Sequence, residues 1–448
     1  MDDVLAAARP SGFMWLALAL CVLVGMAEGY DIQVMALAAP LVAKAWGLSK
    51  GAVGLLLTAS VVGLVVGSFL LSPFGDLWGR RPGVILGMLI AGLATAAGAW
   101  MPDMAALVSM RFVAGIGLGL ALPNVIALAM EIVPSRMRVI AIVLVNCGYP
   151  LGGALGSAWV GGKIPTYGYP ITFLAGGIAT LAVLLLCVAL LPESPLLLAR
   201  RPGRTAELAR LLRRLGGSFI AAPTVFALRE APPPRSRVAA LFQENRAHAT
   251  LLLWLVNFAG LAMVYFFINW LPSIIVGSGQ DARRALMAVS TFSFSGIVGG
   301  VLLASLLRKA SATRLLGVAY GVALVASIAL AATPAVGSAF FALVALAGAA
   351  MVGSQFCLTA VVNQFYPSAI RATASGYATG AGRLGATFAP LAGAAVVASV
   401  THAQQALAAA AVPAAVALLA VLALERRTSL NRSVEPVAAA GVVPGSVG

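Results

Sequence analysis

Residues 75–81 read Gly75-Asp76-Leu77-Trp78-Gly79-Arg80-Arg81 and separate the second and third long apolar segments of the chain. The two glycines permit a tight turn between successive helices, because glycine adopts backbone conformations that other residues avoid. A simple basic loop would explain the arginines, but it would explain neither Asp76 nor both glycines. The stretch therefore predicts a short turn between two membrane helices that carries its own charge cluster.

The composition indicates a protein that crosses a membrane many times. Apolar residues make up 61% of the 448 residues, charged residues only 10%, and the mean hydropathy is +1.00. A soluble domain would carry about 25% charged residues. The first apolar segment is too long for a signal peptide, and it follows an acidic start, Met1-Asp2-Asp3. We expect it to remain as a membrane span.

Twelve segments are long and apolar enough to cross a hydrocarbon layer of about 30 Å. They cover residues 13–37, 52–74, 84–100, 104–130, 140–162, 170–191, 250–276, 285–307, 315–333, 337–362, 372–400 and 405–424. We predict an all-α membrane protein with two six-helix bundles, 13–191 and 250–424. A cytoplasmic linker, 192–249, joins them, and a disordered tail, 425–448, follows. A P-S-x-x-R pattern after the fourth and tenth spans indicates weak symmetry between the halves, which is typical of secondary transporters.

The linker contains a candidate amphipathic helix. Leu208, Leu211, Leu212 and Leu215 share one helical face, and Arg210, Arg213 and Arg214 lie off it. Such a helix can lie on the inner leaflet with its leucines in the lipid. The alternative is a solvated loop.

The net charge of +15 is explained by membrane orientation rather than by nucleic-acid binding. With the N-terminus in the cytoplasm, 22 of the 29 Lys and Arg residues fall on the cytoplasmic side and five on the other. This bias follows the positive-inside rule. We therefore expect both termini in the cytoplasm, a bacterial inner membrane as the location, and no nucleic-acid partner.

Neither a metal centre nor an enzyme active site is indicated. The cysteines, at positions 21, 147, 187 and 357, lie within apolar spans and show no metal-type spacing. The two histidines, His248 and His402, are predicted at opposite faces of the membrane. There is no nucleophile–base pair and no phosphate-binding loop, so we expect no cofactor and no enzymatic activity.

Glu28 and Asp31 are the only carboxylates predicted within a span. Each costs about 2.5–3.5 kcal/mol to insert at the centre of a bilayer, so such acids are usually functional. Arg111 lies about 10 Å deep in the fourth span and Asp31 at a similar depth in the first, at 1.5 Å per residue. An Asp31–Arg111 pair is therefore expected, either as a proton-coupling switch or as a static ion pair. Glu28, one turn from Asp31, completes a candidate proton relay.

Arg383 is the other charged residue predicted at mid-membrane depth. No acid predicted within a span of its half can neutralise it, and a guanidinium holds both oxygens of a carboxylate. It is thus a candidate substrate receptor, the alternative being an arginine bonded to carbonyl groups or to an acid across the halves. Further candidate substrate-binding residues are Tyr265, Asn269 and Gln355. Trp270 also belongs to this group, although an interfacial anchor is the commoner role for such a tryptophan.

These motifs resemble the major facilitator superfamily, and within it the aromatic acid:proton symporter family, including the 3-(3-hydroxyphenyl)propionate transporters. The resemblance covers residues 13–425 and is carried by GDLWGRR at 75–81, EGYD at 28–31, RFVAG at 111–115, GLGLALPN at 117–124, INWLP at 268–272 and GRLGA at 382–386. It implies two six-helix bundles and alternating access. It also implies a cytoplasmic gate formed by Gly75, Asp76, Gly79, Arg80, Arg81, Glu131, Arg138 and Arg371.

The resemblance implies that the chain imports an aromatic carboxylate together with protons, working as a monomer in the lipid bilayer. One alternative is a carrier for a non-aromatic organic acid, such as muconate, shikimate or a sugar acid. A second is a membrane sensor that does not transport. The second alternative would usually require a folded cytoplasmic domain, for which the linker and tail offer no sequence.

Overall fold

A computed structural model describes residues 10–71, 74–201, 203–216, 239–243, 246–307, 309–366 and 368–434. Within these ranges, several side chains lie outside the described part, among them those of Asp76, Arg200, Ala282 and residues 368–373 and 427–434. The predicted gate residues Asp76 and Arg371 are thus described by their backbone alone. Residues 217–238 of the linker and 435–448 of the tail lie outside the description altogether.

The described chain is helical throughout, and twelve of its helices are long and apolar enough to cross a membrane. They are α1 (Gly12–Trp46), α2 (Lys50–Val66), α3 (Arg80–Ala97), α4 (Met104–Ile132), α5 (Arg138–Gly161), α6 (Pro170–Leu190), α7 (Ala247–Gly277), α8 (Ala282–Leu306), α9 (Ala312–Ala332), α10 (Gly337–Phe365), α11 (Ser368–Ser399) and α12 (Ala411–Val434). The prediction of an all-α chain with twelve spans is confirmed. Because the number is even, α1 begins and α12 ends at the same end of the bundle, which we call the terminal face.

Helix ends depart from the apolar segments. The first helix starts where Ser11 Oγ accepts a hydrogen bond from the Met14 amide at 3.1 Å, and it stops at Gly47, whose φ is +62°. It therefore continues nine residues past the predicted end at residue 37. The residues that follow are less hydrophobic than the span, but they still form helix. The last helix likewise continues to Val434, through residues 425–434 that were predicted to be disordered.

The packing of the helices repeats between the two halves. In the first half, α1 packs on α5 and α6, α4 on α2 and α3, and α3 on α6. In the second half, α7 packs on α11 and α12, α10 on α8 and α9, and α9 on α12. Adding six to each label of the first set gives the second set. The halves meet mainly through α2 with α11 and α5 with α8, two pairs that the same operation exchanges.

Small residues bring α1 and α5 into close contact. A Cβ on Gly25 would lie 2.6 Å from the Val145 carbonyl oxygen, and one on Gly29 would collide with the Tyr149 carbonyl oxygen. Close approach of backbones at glycines is typical of membrane helices, where packing replaces the hydrophobic effect. The contact fixes the depth and rotation of α1 next to its two acidic residues.

The linker helix Thr205–Arg214 packs its leucine face on the helix bundle. Leu208 and Leu212 are fully buried in a cluster with the terminal-face ends of the first half, including Met14. Ser11 Oγ donates a hydrogen bond to the Arg214 carbonyl oxygen at 2.6 Å. The segment is thus a helix and not a solvated loop, and the bundle covers its leucine face.

Candidate functional site

A cavity of about 260 Å³ lies between the two halves. The first half contributes side chains from α1, α2 and α5, and the second half from α7, α10 and α11. Its polar and aromatic lining residues are Glu28, Asn146, Tyr149, Asn257, Tyr265, Gln355, Phe356, Thr359, Thr379 and Arg383. The mixture of aromatic walls with a few charged and polar groups is typical of a small-molecule site.

Glu28 supplies the negative charge of the cavity. Its side chain is 6% exposed and makes neither a hydrogen bond nor an ion pair with any residue in the described part of the chain. Tyr149 of α5 and Tyr265 of α7 stand beside it, with ring centroids 6.4 Å apart and planes inclined by 26°. The carboxyl group thus borders the cavity without a hydrogen-bond partner in the described part of the chain.

Arg383 supplies the positive charge, from the middle of α11. Its guanidinium donates a hydrogen bond to Ser68 Oγ in the π-helical turn Gly67–Leu71 that continues α2. Ser68 in turn donates to the Gly119 carbonyl oxygen at 3.1 Å. Across the described ranges, no carboxylate forms an ion pair with Arg383. The guanidinium thus keeps donors available for a ligand.

Asp31 and Arg111 form a buried ion pair next to the cavity. Arg111 is fully buried and Asp31 is 2% exposed, and the carboxylate contacts the guanidinium directly. Thr95 of α3 donates to the second carboxylate oxygen at 2.5 Å, and Arg111 Nε donates to Ser60 Oγ of α2 at 3.0 Å. Helices α1, α2, α3 and α4 thus meet at one charged centre, and their polar side chains form hydrogen bonds with one another.

Glu28 and Asp31 occupy the same face of α1 in different surroundings. They are three residues apart, which places them as neighbours along the helix. Asp31 is paired with a cation and enclosed, whereas Glu28 faces the cavity and has no described partner. One helical turn therefore separates a carboxyl group that borders the cavity from a charged pair inside the first half.

The face opposite the terminal face is closed above the cavity. Lys50 Nζ at the start of α2 donates to the Val397 carbonyl oxygen of α11 at 2.5 Å. Gln33 Nε2 of α1 donates to Ser293 Oγ of α8 at 3.0 Å, deep between the halves. Ser290 adds a hydrogen bond from α8 to α5. These contacts seal the cavity from that side.

The GDLWGRR turn forms a polar cluster at the terminal face. Arg80 Nε lies 3.5 Å from Glu131 Oε1 of α4, and its NH1 donates to Asn124 Oδ1 at 3.2 Å. Gly75 packs so tightly on Asn124 that a Cβ would collide with the amide. Within the first half, Arg80 of this turn is thus paired with Glu131 and bonded to Asn124.

The chain after α6 completes this cluster. Arg81 donates its backbone N–H to Glu193 Oε1 at 3.2 Å, and Ser194 Oγ donates to the Glu131 carboxylate. Gly79 has a φ of +128° and lies against the Glu193 carboxylate, where any other residue would be strained. Arg138, also predicted here, donates to the Met130 carbonyl oxygen at 3.2 Å.

Two predicted substrate residues lie outside the cavity. Trp270 is 1% exposed and donates its Nε1–H to the Pro390 carbonyl oxygen at 3.0 Å, so it joins α7 to α11. It is neither an interfacial anchor nor part of the cavity lining. Asn269 donates back to the Tyr265 carbonyl oxygen at 2.7 Å within its own helix. Of that stretch, only Tyr265 reaches the cavity, because the later turns of α7 lie in the closed interface.

Several residues of the site were missed from the sequence. Thr95 and Ser60 hold the ion pair, Ser68 holds Arg383, and Asn146 and Asn257 line the cavity. Hydroxyl and amide groups are common in membrane helices, so composition alone does not mark them. For Asn146 and Asn257, the one available signal is an amide within an otherwise apolar span.

The sequence is similar to a known family of membrane proteins and to several of its members. The family model of the Major Facilitator Superfamily matches residues 19–390. The chain is 34% identical to a gallate transporter of Pseudomonas putida, over 93% of this chain and 93% of the relative. It is 33% identical to a 3-(3-hydroxy-phenyl)propionate transporter of Escherichia coli, over 94% and 96%. It is 30% identical to the 4-hydroxybenzoate transporter PcaK of Acinetobacter baylyi, over 92% and 91%.

Solved structures share the fold. The partially occluded, inward-open xylose transporter XylE of E. coli superposes with a TM-score of 0.74, covering 93% of this chain and 99% of that one at 17% identity. A D-xylose-proton symporter superposes with a TM-score of 0.73, covering 92% and 97%. From the repeated helix packing, the GDLWGRR turn and the family match together, we conclude that this chain is a multi-pass membrane transporter of the Major Facilitator Superfamily.

Proposed function

We propose that this protein imports aromatic carboxylates with protons, by alternating access to the cavity between its halves. The observation that carries the proposal is the lining of that cavity, where Arg383 and Glu28 face a space walled by aromatic rings. A benzoate-sized anion would place its carboxylate on the guanidinium, which binds both oxygens at once. The names of the relatives, transporters of gallate, 4-hydroxybenzoate and 3-(3-hydroxy-phenyl)propionate, support this substrate class.

The proton would act through Glu28 and Asp31. Glu28 takes a proton from the cavity, next to the substrate. Protonation of Asp31 removes the charge that holds Arg111, so the guanidinium is released and the packing of α1 on α4 changes. The alternative is that Asp31 and Arg111 are a static pair, in which case neutralising Asp31 would leave proton coupling intact.

The direction of transport follows from the membrane orientation. The terminal face would be cytoplasmic, as the distribution of Lys and Arg residues suggests, and the membrane would be the bacterial inner membrane. Moving one extra positive charge inward gains about 2.3 kcal/mol per 100 mV of membrane potential. Cotransport of two or more protons with a monoanion would use this gain. Each chain would work as a monomer and would catalyse no covalent reaction.

The terminal-face cluster would act as the cytoplasmic gate. Its described bonds join the GDLWGRR turn to α4 and to the chain after α6, within the first half. Asp76 and Arg371 would extend it towards the second half when that face closes. Carboxylates near helix N-termini are favourable partners for such a contact.

Uptake into proteoliposomes tests the proposal. The purified protein should accumulate radiolabelled 4-hydroxybenzoate when the interior is alkaline, and a protonophore should abolish the accumulation. Muconate, shikimate and a sugar acid, added in excess, should compete poorly. Strong competition by one of these non-aromatic acids, or accumulation that survives the protonophore, would contradict the proposal.

A further inference from the structure

Gln355 is a poorly satisfied polar side chain of the cavity wall in the second half. Asn257 Nδ2 donates to the Leu253 carbonyl oxygen at 2.9 Å, and Thr359 Oγ1 donates to the Gln355 carbonyl oxygen at 3.0 Å. The Gln355 amide has one long contact, from Nε2 to Ser354 Oγ at 3.4 Å. A flexible amide in this state is available to a ligand.

Tyr320 of α9 lies directly behind this amide. Its side chain is fully buried, and its hydroxyl lies beside Ser354 and Gln355 without a well-formed hydrogen bond to either. A Cβ placed on Gly260 would lie 2.6 Å from both the Tyr320 hydroxyl and Gln355 Nε2, so both atoms face the same small space beside Gly260. Native proteins rarely leave a buried hydroxyl without a partner.

A half-turn of the Gln355 amide resolves this arrangement. The two ends of an amide group are similar in size, so the side chain fits the same space either way. With its oxygen towards α9, Gln355 accepts the hydrogen of the Tyr320 hydroxyl. Its NH2 group then points into the cavity as a donor whose direction is set from behind.

We propose that Gln355, positioned by Tyr320, recognises a hydroxyl group on the aromatic ring of the substrate. Arg383, on α11, takes the carboxylate, and Gln355, on α10, takes an oxygen on the ring. The substrates would then be hydroxylated aromatic carboxylates, in preference to unsubstituted ones. This inference rests on the proposed function and adds a second polar subsite to it.

Ligand affinities of the detergent-purified protein test this subsite. The measured quantity is the preference for 4-hydroxybenzoate and 3,4,5-trihydroxybenzoate over benzoate, in wild type, Gln355→Leu and Tyr320→Phe. We expect Gln355→Leu to reduce the preference about tenfold with little effect on benzoate, as the loss of one hydrogen bond predicts. Tyr320→Phe should reduce it about threefold, because the amide loses its fixed orientation. The control is Ser327→Ala, which removes a buried hydroxyl of the same helix that bonds to Ala323.

The outcomes separate this inference from the proposed function. If wild type binds benzoate and its hydroxylated forms equally, or if both variants lose all ligands in parallel, the hydroxyl subsite is wrong while aromatic transport stands. If wild type binds no aromatic carboxylate, the proposed function fails first. Should Gln355→Leu not fold, Tyr320→Phe decides alone, since it keeps the shape of the buried ring.

Discussion

Arg383 of α11 donates a hydrogen bond to Ser68 in the turn that continues α2, so the cation that faces the cavity also ties the two halves together. A substrate carboxylate must compete with this serine for the guanidinium. Binding would therefore exchange a bond between the halves for a bond to the ligand. Such an exchange provides a direct link between occupancy of the cavity and movement of one half against the other.

Replacing Ser68 should strengthen substrate binding. In Ser68→Ala, Arg383 no longer has to give up a hydrogen bond to Ser68 when it binds the substrate. The affinity for 4-hydroxybenzoate should therefore rise about three- to tenfold, which corresponds to the net free energy of one hydrogen bond. The matched control is Thr58→Val on the same helix, because Thr58 bonds to the Gly54 carbonyl oxygen. Affinity is measured by isothermal titration in detergent. A weaker affinity in Ser68→Ala would contradict the competition.

Replacing Arg383 should weaken the binding of carboxylates selectively. Lysine keeps the charge in Arg383→Lys but loses the two-pronged contact, so affinity for 4-hydroxybenzoate should fall about tenfold or more. The methyl ester of the same acid, which offers no carboxylate, should bind both proteins with similar affinity. A parallel loss for acid and ester would indicate a distorted cavity and would remove Arg383 from carboxylate recognition.

The enclosed ion pair should be essential for stability as well as for coupling. In Arg111→Gln, the Asp31 carboxylate stays buried without its cation, and losing one partner of a buried pair costs about 3–5 kcal/mol. We expect a clear fall in the melting temperature in detergent, with partial recovery in the double variant Asp31→Asn/Arg111→Gln. Arg314→Gln, which breaks an exposed pair with Glu425, should change it little. Equal effects of both arginine variants would contradict the enclosed pair.

Gly29 should be irreplaceable for steric reasons. A methyl group in Gly29→Ala would collide with the Tyr149 backbone, so α1 and α5 must separate beside both acids. Overpacking of this kind costs about 1–3 kcal/mol and should lower both the melting temperature and the uptake rate. Gly321→Ala in α9, where a Cβ meets open space, is the control and should be neutral or slightly stabilising. A Gly29→Ala protein with the melting temperature and uptake rate of the wild type would contradict the close contact.

Properties that depend on position along a helix were predictable from the sequence. Long apolar segments identified all twelve spans, because the bilayer sets their length. The contact between Asp31 and Arg111 was expected from matching depth, since two buried charges in one half have few other partners. The polar turn at 75–81 was recognisable because glycine and charge coincide there.

Properties that depend on the rotation of a helix about its axis were not predictable. Trp270 and Asn269 follow Tyr265 within about one turn of α7, but Trp270 bonds to the Pro390 carbonyl oxygen of α11 and Asn269 bonds back onto its own helix. The position of Tyr320 beside Gln355 could not be predicted from a sequence motif, because the two residues lie on different helices. The docking of Leu208 and Leu212 required knowledge of the surface that receives them.

Transport by Asp31→Asn under two conditions tests proton coupling most directly. In proteoliposomes with an imposed pH gradient, this variant should fail to accumulate 4-hydroxybenzoate, while it should still exchange external for internal substrate when no gradient is present. Glu28→Gln, one turn away in the cavity, is measured alongside and should lose accumulation as well. Uphill accumulation by Asp31→Asn at the wild-type level would contradict a coupling role for this residue and leave the Asp31–Arg111 pair purely structural.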